Sequence, residues 1–154
     1  MSQPQAPAQA PAYVTLTGPQ PTVFIVTFNV AANATAGTVI QGQISAFGPL
    51  MPASASVTVP ITEVWSIVSF YTLATYSPDA SIQLLINGYP QNISPTLNSV
   101  YINNYNKWRL DTAIKLPPAS TFTVNIVLLG ANGANAQTYT LYMGAVRAPF
   151  AGGG

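Results

Sequence analysis

The amino-acid sequence predicts an all-β fold, an antiparallel β-sandwich, on three observations. Apolar and polar residues alternate along several short segments, which is the period of a strand with one buried face. Turn-forming residues, as at Asn87-Gly88 and at residues 130–133, separate these segments at spacings of roughly 8–12 residues. No window longer than about ten residues carries the apolar stripe, every three to four positions, that a helix buries.

Five segments show the alternation and supply most of the predicted core. Their inward positions are Phe24, Val26, Phe28 and Val30; Val57, Val59 and Ile61; Ile82, Leu84 and Ile86; Phe122, Val124, Ile126 and Leu128; and Tyr139, Leu141 and Met143. Residues 62–75 are apolar at both parities, which predicts a central strand covered on both faces. The best helical candidate, residues 93–105, is weakened by Pro95. We therefore expect about eight to nine strands.

The 154 residues suit one domain with arms at both ends. Residues 1–12 form a Pro/Ala/Gln-rich arm, in which Pro4, Pro7 and Pro11 favour an extended, polyproline-like path. Residues 13–148 form the sandwich, and residues 149–154 form a Gly-rich tail that contains Phe150. We predict that both arms contact neighbouring subunits.

Charged residues make up only 5% of the chain, against roughly 25% in a typical domain. The longest apolar stretches fall short of the about 20 residues that a membrane-spanning helix needs. Four Lys and Arg residues can neutralise few phosphates, so we expect no direct contact with nucleic acid. A net charge of +1 gives little protection against association, which suits a subunit of an assembly.

Histidine and cysteine are both absent, and this bears most directly on catalysis. General acid–base chemistry at neutral pH usually relies on His, and nucleophilic triads need a base beside the nucleophile. The three carboxylates, Glu63, Asp79 and Asp111, are scattered, and we interpret them as solvated surface charges. The sequence therefore predicts a protein that is not an enzyme, with no catalytic residues, no cofactor and no metal site.

Four of the seven charged residues lie within residues 107–115. In a regular strand, Lys107, Arg109, Asp111 and Lys115 share one face. One interpretation is a solvated face with a cross-strand salt bridge. The other is that this face orients the subunit against a neighbour, where the planar donors of Arg are favoured.

The aromatic residues divide between the predicted core and the predicted surface. Trp65, Phe70 and Trp108 are expected in the core. Tyr101 and Tyr105 lie in a polar, loop-like stretch whose composition is typical of adaptable contact surfaces, so we assign them to a subunit interface. Acceptor sequons for N-glycosylation occur at residues 33–35 (Asn-Ala-Thr) and 92–94 (Asn-Ile-Ser), a pattern that arises often by chance in such a sequence.

The strand-like segments at residues 64–71, 77–88 and 108–120, followed by a final pair of strands, resemble the single jelly-roll capsid proteins of icosahedral viruses. The composition is similar to that of structural proteins from viruses of hyperthermophilic archaea. The resemblance covers residues 13–148. It implies a jelly-roll sandwich made in the host cytoplasm and located in the virion, where subunits self-assemble with copies of themselves and with other structural proteins, and terminal arms lace neighbours together.

The arm departs from the family pattern in one respect. Capsid proteins that touch the genome carry a basic arm, whereas residues 1–12 contain no Lys or Arg. This difference argues against direct genome contact, and an internal membrane or a second protein layer beneath the shell would fit it.

Two other function classes fit the same features. An extracellular filament or pilus subunit, assembled by donor-strand exchange, would also use an extended arm and a surface of low charge. A carbohydrate-binding β-sandwich of a fibre or cell surface would use Tyr101, Tyr105 and Trp108. Processing after an export signal distinguishes the filament, and glycan binding that is lost in Tyr105→Ala distinguishes the lectin.

Overall fold

A computed structural model describes residues 16–46, 53–102 and 107–150 of the chain. For residues 46, 92–95, 102, 107–109 and 111 it describes the backbone alone. Within these ranges lie the strands β1 (Gln20–Val30), β2 (Val39–Gln41), β3 (Gln43–Ala46), β4 (Val57–Thr58), β5 (Glu63–Tyr71), β6 (Ala80–Ile86), β7 (Tyr89–Thr96), β8 (Lys107–Leu116), β9 (Thr121–Leu128) and β10 (Gln137–Pro149), with one helix, α1 (Leu97–Ile102). The described strands exceed the expected number because β2, β3 and β4 are short, with two to four residues each.

The strands form two antiparallel sheets, which confirms the predicted all-β sandwich. Sheet A has the order β3-β1-β10-β5-β8, and sheet B has the order β2-β9-β6-β7 with β4 also paired to β9. The pairing is nested along the chain: β1 pairs with β10, β2 with β9, β5 with β8, and β6 with β7. The outermost strands in sequence therefore pair with each other, and each inner pair follows in turn.

The core lies between the sheets and contains nearly all the residues that the alternation predicts. The inward positions of β1, β9 and β10 are at most 1% exposed from Phe24 to Val30, from Phe122 to Leu128 and from Tyr139 to Met143. Ile61 was predicted to be buried, and this was wrong: its side chain is 74% exposed. Strand β4 ends at Thr58, and Glu63 N–H donates to the carbonyl of Pro60 (3.1 Å), so Ile61 lies in a turn.

An aromatic cluster joins the two sheets at the centre of the core. Phe24 and Trp65 from sheet A have ring centroids 5.2 Å apart, and Phe122 from sheet B lies 5.7 Å from Phe24 and 6.2 Å from Trp65. Both contacts of Phe122 are edge-to-face, an arrangement worth about 0.5–1.5 kcal/mol per pair beyond burial. Trp65 and Phe70 are core residues, as predicted, and the side chain of Trp108 lies outside the described residues.

A β-bulge explains why residues 62–75 are apolar at both parities. The register of β5 shifts between Ile67 and Ser69, so the inward positions change from odd numbers (Trp65 and Ile67) to an even one (Phe70). Gly144 lies opposite Ser69 on β10, and an added Cβ there would overlap Ser69 Oγ. Strand β5 is interior to sheet A, as predicted, but its outer face is half-exposed instead of covered.

Helix α1 falls within the region that was the best helical candidate. Ser99 N–H donates to Thr96 Oγ1 (3.2 Å), so Thr96 caps the first turn. Leu97 and Val100 are fully buried and attach α1 to the core.

The two ends of the sandwich are referred to below as poles. At the terminal pole β1 begins and β10 ends, with Gln20 opposite Arg147. At the distal pole β1 ends and β10 begins, with Val30 opposite Gln137.

Candidate functional site

The structure describes only some of the predicted interface residues. Pro4, Pro7, Pro11 and Tyr105 lie outside the described residues. Phe150 follows β10 at the terminal pole and is 42% exposed, while its N–H donates to the carbonyl of Thr62 (2.8 Å). The backbone at the start of the predicted Gly-rich tail is therefore hydrogen-bonded to the domain.

Tyr101 lies on α1, whose start is at the distal pole. Its side chain is 38% exposed, so it is available for a contact. Phe150 is at the terminal pole, so the two predicted aromatic contact residues that the structure describes do not form one surface.

The charged segment forms strand β8, at the edge of sheet A as described. Lys107 lies opposite Tyr71, Arg109 opposite Ser69, and Lys115 opposite Ser66. Between the pairs Ile67–Ile114 and Ser69–Arg109, two steps along β5 correspond to five along β8, so β8 is irregular in its middle. The side chain of Lys115 is exposed, and those of Lys107, Arg109 and Asp111 are outside the description.

A buried ion pair, which the sequence reasoning missed, lies at the terminal pole. Arg147 donates from Nε to Glu63 Oε1 (2.8 Å) and from a terminal nitrogen to Glu63 Oε2 (3.0 Å). Trp65 Nε1 also donates to Glu63 Oε1 (2.8 Å), and the Arg147 guanidinium lies 5.8 Å from the Trp65 ring centroid. The interpretation of Glu63 as a solvated surface charge was wrong, since the residue is only 3% exposed.

The missed ion pair has a clear structural effect. Glu63 and Arg147 are on neighbouring strands β5 and β10, and Trp65 is the backbone partner of Arg147. A bidentate Arg–carboxylate pair has a fixed geometry, and burial makes the loss of either partner costly. The pair therefore fixes the register of sheet A near the terminal pole, where β1 begins and β10 ends.

A second polar cluster orders the distal pole around Asp79. Its Oδ1 accepts from the N–H groups of Ala80 (2.8 Å) and Asn98 (3.0 Å), and its Oδ2 accepts from Thr96 Oγ1 (2.6 Å). Asp79 therefore connects the start of β6 with the start of α1. The interpretation of Asp79 as a solvated surface charge holds in part, since the residue is half-exposed while its carboxylate accepts three hydrogen bonds within the protein.

Two tyrosines extend this cluster into sheet A. Tyr76 stacks on Tyr139 with centroids 4.3 Å apart, and Tyr139 donates its hydroxyl to the carbonyl of Pro78 (2.7 Å). Burial raises the pKa of Tyr139, and the nearby Asp79 and Tyr76 raise it further. Hydrogen bonds from Asn132 and Gln137 complete the cluster, including Gln137 Nε2 to the carbonyl of Ser77 (2.8 Å).

The outer face of sheet A is apolar and aromatic at its centre. Tyr71 on β5 and Tyr142 on β10 are cross-strand partners whose rings stack with centroids 4.9 Å apart and an interplanar angle of 8°. On the neighbouring strand β1, Ile25 is the cross-strand partner of Tyr142. Val23 and Val68 are half-exposed on the same face. Burial raises the pKa of Tyr71, and the neighbouring Tyr142 adds to the shift.

The outer face of sheet B has a different chemistry, in which hydroxyl and amide groups are mixed with apolar side chains such as Val39 and Val127. Gln41, Asn125 and Gln83 are aligned in register across β2, β9 and β6, and Asn125 Nδ2 donates to Gln83 Oε1 (3.3 Å). Asn125 Oδ1 is buried without a hydrogen-bond partner among the described residues. Further along the same sheet, the hydroxyl groups of Thr58 and Thr121 form a hydrogen bond with an O–O distance of 3.0 Å.

The edges of both sheets, as far as the structure describes them, resist the addition of another strand. In sheet A, β3 has four residues and β8 carries charged residues. In sheet B, β2 has three residues and β7 contains Pro90 and Pro95. Short strands, charges and prolines are the usual means of keeping an edge from pairing with another chain.

The described residues form a shallow cleft but no cluster of side chains that could hold a metal ion. No group of three or more Asp or Glu residues there could hold a metal ion. A shallow cleft of about 340 Å³ lies at the distal pole between Asn29–Ala31 and Ala136–Thr138, and its lining is uncharged. Among the described residues, no helix is both long enough and apolar enough to span a membrane.

Comparison with known proteins assigns no family. No protein-family model matches the sequence, and no curated protein is significantly similar to it.

Proposed function

We propose that the chain is a structural subunit with a single jelly-roll fold that self-assembles into a shell, the capsid of a virus. The observation that carries this proposal is the nested pairing of β1 with β10, β2 with β9, β5 with β8, and β6 with β7. An antiparallel ribbon of four such pairs, rolled up so that its pairs alternate between two sheets, yields a jelly roll. The short strands β3 and β4 are then additions to this plan.

The fold supports several functions, and the composition selects among them. Jelly rolls occur in capsid proteins, lectins and cupins. Cupin chemistry depends on metal-binding side chains, whereas the whole chain lacks His. A charge content of 5% and a net charge of +1 suit surfaces that are covered by other subunits.

The edges argue against assembly by donor-strand exchange. That mechanism adds a strand to an open edge. Short, charged or Pro-containing strands occupy the described edges, and Pro4, Pro7 and Pro11 remove three N–H donors from the arm that would be donated. We therefore favour contacts through the sheet faces and the arms over the filament hypothesis.

Electron microscopy of the full chain in negative stain tests the proposal. We expect closed shells from the unmodified protein. A chain without residues 2–12 should give the same circular dichroism spectrum and thermal transition but few or no shells, because the arm makes its contacts outside its own domain. A variant with residues 2–12 shuffled in order keeps the length and composition of the arm and serves as the control.

Three other outcomes would contradict the proposed shell or the role of the arm. Long filaments from the unmodified chain would favour the donor-strand hypothesis. A monodisperse monomer at all concentrations, with binding on a glycan array that is lost in Tyr105→Ala, would favour the carbohydrate-binding hypothesis. Unchanged shell yield after deletion would show that the arm is dispensable.

A further inference from the structure

We propose that the Pro-rich arm of one copy, residues 1–12, docks on the outer face of sheet A of a second copy, against the stacked rings of Tyr71 and Tyr142. This inference rests on the proposed function only in taking the chain to self-assemble. It names the surface that receives the arm and the chemistry of the contact.

The receiving surface is an aromatic ridge in a row of sheet A that is uncharged toward β1 and β3 and ends at Lys107, the partner of Tyr71, on the edge strand β8. Tyr71 and Tyr142 stack almost in parallel, so each ring has one face against its partner and one face turned away. In register, Ile25 and Ser45 continue the row on one side of Tyr142. All four side chains are half-exposed, which leaves apolar area to be removed from water on docking.

The arm has the matching chemistry. It contains Pro4-Gln-Ala-Pro7, and a polyproline helix has three residues per turn, so Pro4 and Pro7 would project to the same side. Segments of this type dock on aromatic-lined surfaces, and their ordering costs little entropy because the polyproline conformation is already favoured in the free chain. The arm contains no charged residue, so docking over Tyr142, Ile25 and Ser45 buries no charge.

Length and position make a contact between copies feasible. Twelve residues at about 3.1 Å per residue extend roughly 37 Å. Eleven residues of β1 at about 3.3 Å per residue span roughly the same distance, which is the length of the sandwich. An arm that leaves the terminal pole can therefore cross the face of an adjacent subunit to reach a ridge near its middle.

Photo-cross-linking of the full chain tests the contact directly. A benzophenone amino acid replaces Gln5, between the two prolines, in a chain labelled with ¹⁵N, and this chain is mixed before assembly with unlabelled chain. We expect cross-linked peptides that join labelled residue 5 to unlabelled β1, β5 or β10 on the outer face of sheet A. Cross-links to sheet B alone, or only within one copy, would overturn the proposal.

Matched tyrosine variants then test the ridge. Tyr142→Thr should lower the yield of cross-links between copies at least about tenfold, the effect of one lost aromatic anchor. Tyr89→Thr is the control, because Tyr89 is 74% exposed on β7 of sheet B. Equal yields in the two variants would refute a role for the ridge.

A variant of the arm tests the same contact without changing the sequence of the folded domain. Pro4→Ala with Pro7→Ala leaves residues 13–154 untouched and should reduce the yield as strongly as Tyr142→Thr. Unchanged yield would show that the prolines do not make the contact. Images of the same samples separate the two proposals: shells without cross-links between copies would refute the docking site alone, and filaments with the expected cross-links would refute the shell alone.

Discussion

Sheet A and sheet B each contain five strands but differ in how they use charged residues. Six of the seven charged residues are on strands of sheet A: Glu63 on β5, Arg147 on β10, and Lys107, Arg109, Asp111 and Lys115 on β8. The seventh, Asp79, precedes β6. None of the strands described in sheet B contains a charged residue, and its outer face offers hydroxyl and amide groups among apolar side chains.

The two sheets therefore make different use of the few charged residues. In sheet A, the oppositely charged Glu63 and Arg147 form a buried ion pair that links β5 to β10. The other four charged residues of this sheet are on the edge strand β8, where they discourage pairing with other chains. Sheet B protects its edges by shortness and by proline, and so needs no charge. Both faces are thereby left uncharged at their centres, where the proposed contacts with other subunits would form.

The largest effect is expected from breaking the buried pair. Glu63→Met leaves the Arg147 guanidinium buried without its carboxylate and should lower the free energy of unfolding by about 3–5 kcal/mol. Thr123→Val, on the outer face of sheet B, should change it by no more than about 0.5 kcal/mol. Urea denaturation of both variants measures the difference.

A double variant checks the cause. Glu63→Met with Arg147→Met removes both charges and should recover most of the lost stability, since a buried pair replaced by apolar residues is often neutral. A Glu63→Met variant as stable as Thr123→Val would contradict the view that sheet A depends on its internal charge.

Alkaline pH should weaken sheet A specifically. The pKa values of Tyr71 on β5 and Tyr139 on β10 are raised above the ordinary value of 10.0. The folded chain therefore holds these protons more tightly than the unfolded chain, so their stabilising contribution is complete below about pH 10 and is lost as the pH rises further. Unfolding free energies measured between pH 8 and pH 11.5 should fall, and absorbance at 295 nm should report the ionisation.

Phenylalanine variants assign this loss to the residues. Tyr71→Phe and Tyr139→Phe should each flatten the decline above pH 10, because the substituted ring has no proton to lose. An equally steep decline in the variant with both substitutions would place the alkaline sensitivity elsewhere.

The smallest effect on stability is expected at the edges, where the readout is aggregation. Pro90→Thr in β7 and Arg109→Thr in β8 should change stability by less than about 0.5 kcal/mol. Each should increase the formation of β-aggregates, measured by thioflavin T fluorescence, because each removes a device that blocks pairing.

Arg109→Glu is the control for the edge of sheet A, because it keeps a charge there and should not aggregate more than the unmodified chain. Its effect on assembly answers a separate question. Loss of assembly would support a role of β8 in orienting the subunit, and intact assembly would remove that hypothesis. Thioflavin T signals for Pro90→Thr and Arg109→Thr no higher than for the unmodified chain would show that neither device matters.

The sequence predicted the parts of this fold that depend on local periodicity. The inward faces of β1, β9 and β10 follow from alternation alone, because each strand is regular for its whole length inside the core. Ile61 was misplaced because the alternation continues past Thr58, where the strand ends and a turn begins. The bulge after Ile67 was likewise hidden, since a bulge and a strand buried on both sides give the same apolar run.

Contacts between residues far apart in the sequence could not be predicted from local periodicity. Glu63 and Arg147 are 84 positions apart, and their pairing depends on the order of strands in sheet A. The stack of Tyr71 on Tyr142 depends on the same order. Of the candidate interface, the sequence identified exposed residues such as Tyr101, Phe150 and Lys115, but it could not reveal the aromatic ridge, because only the folded sheet brings the two tyrosines together.

The start of β1 and the end of β10 at one pole give the domain a polarity that can be exploited. Leu16 leads into β1 and Phe150 follows β10 at the same pole, whereas the loop at Ala36-Gly37 is exposed at the opposite pole, held by a hydrogen bond from Gly37 N–H to the carbonyl of Leu128 (2.8 Å). The two poles are about 33 Å apart, the length of ten steps along β1. A foreign peptide inserted at Ala36-Gly37 would therefore be displayed at the pole opposite to the start of β1 and the end of β10, which makes this loop the natural attachment point for cargo on the proposed particle.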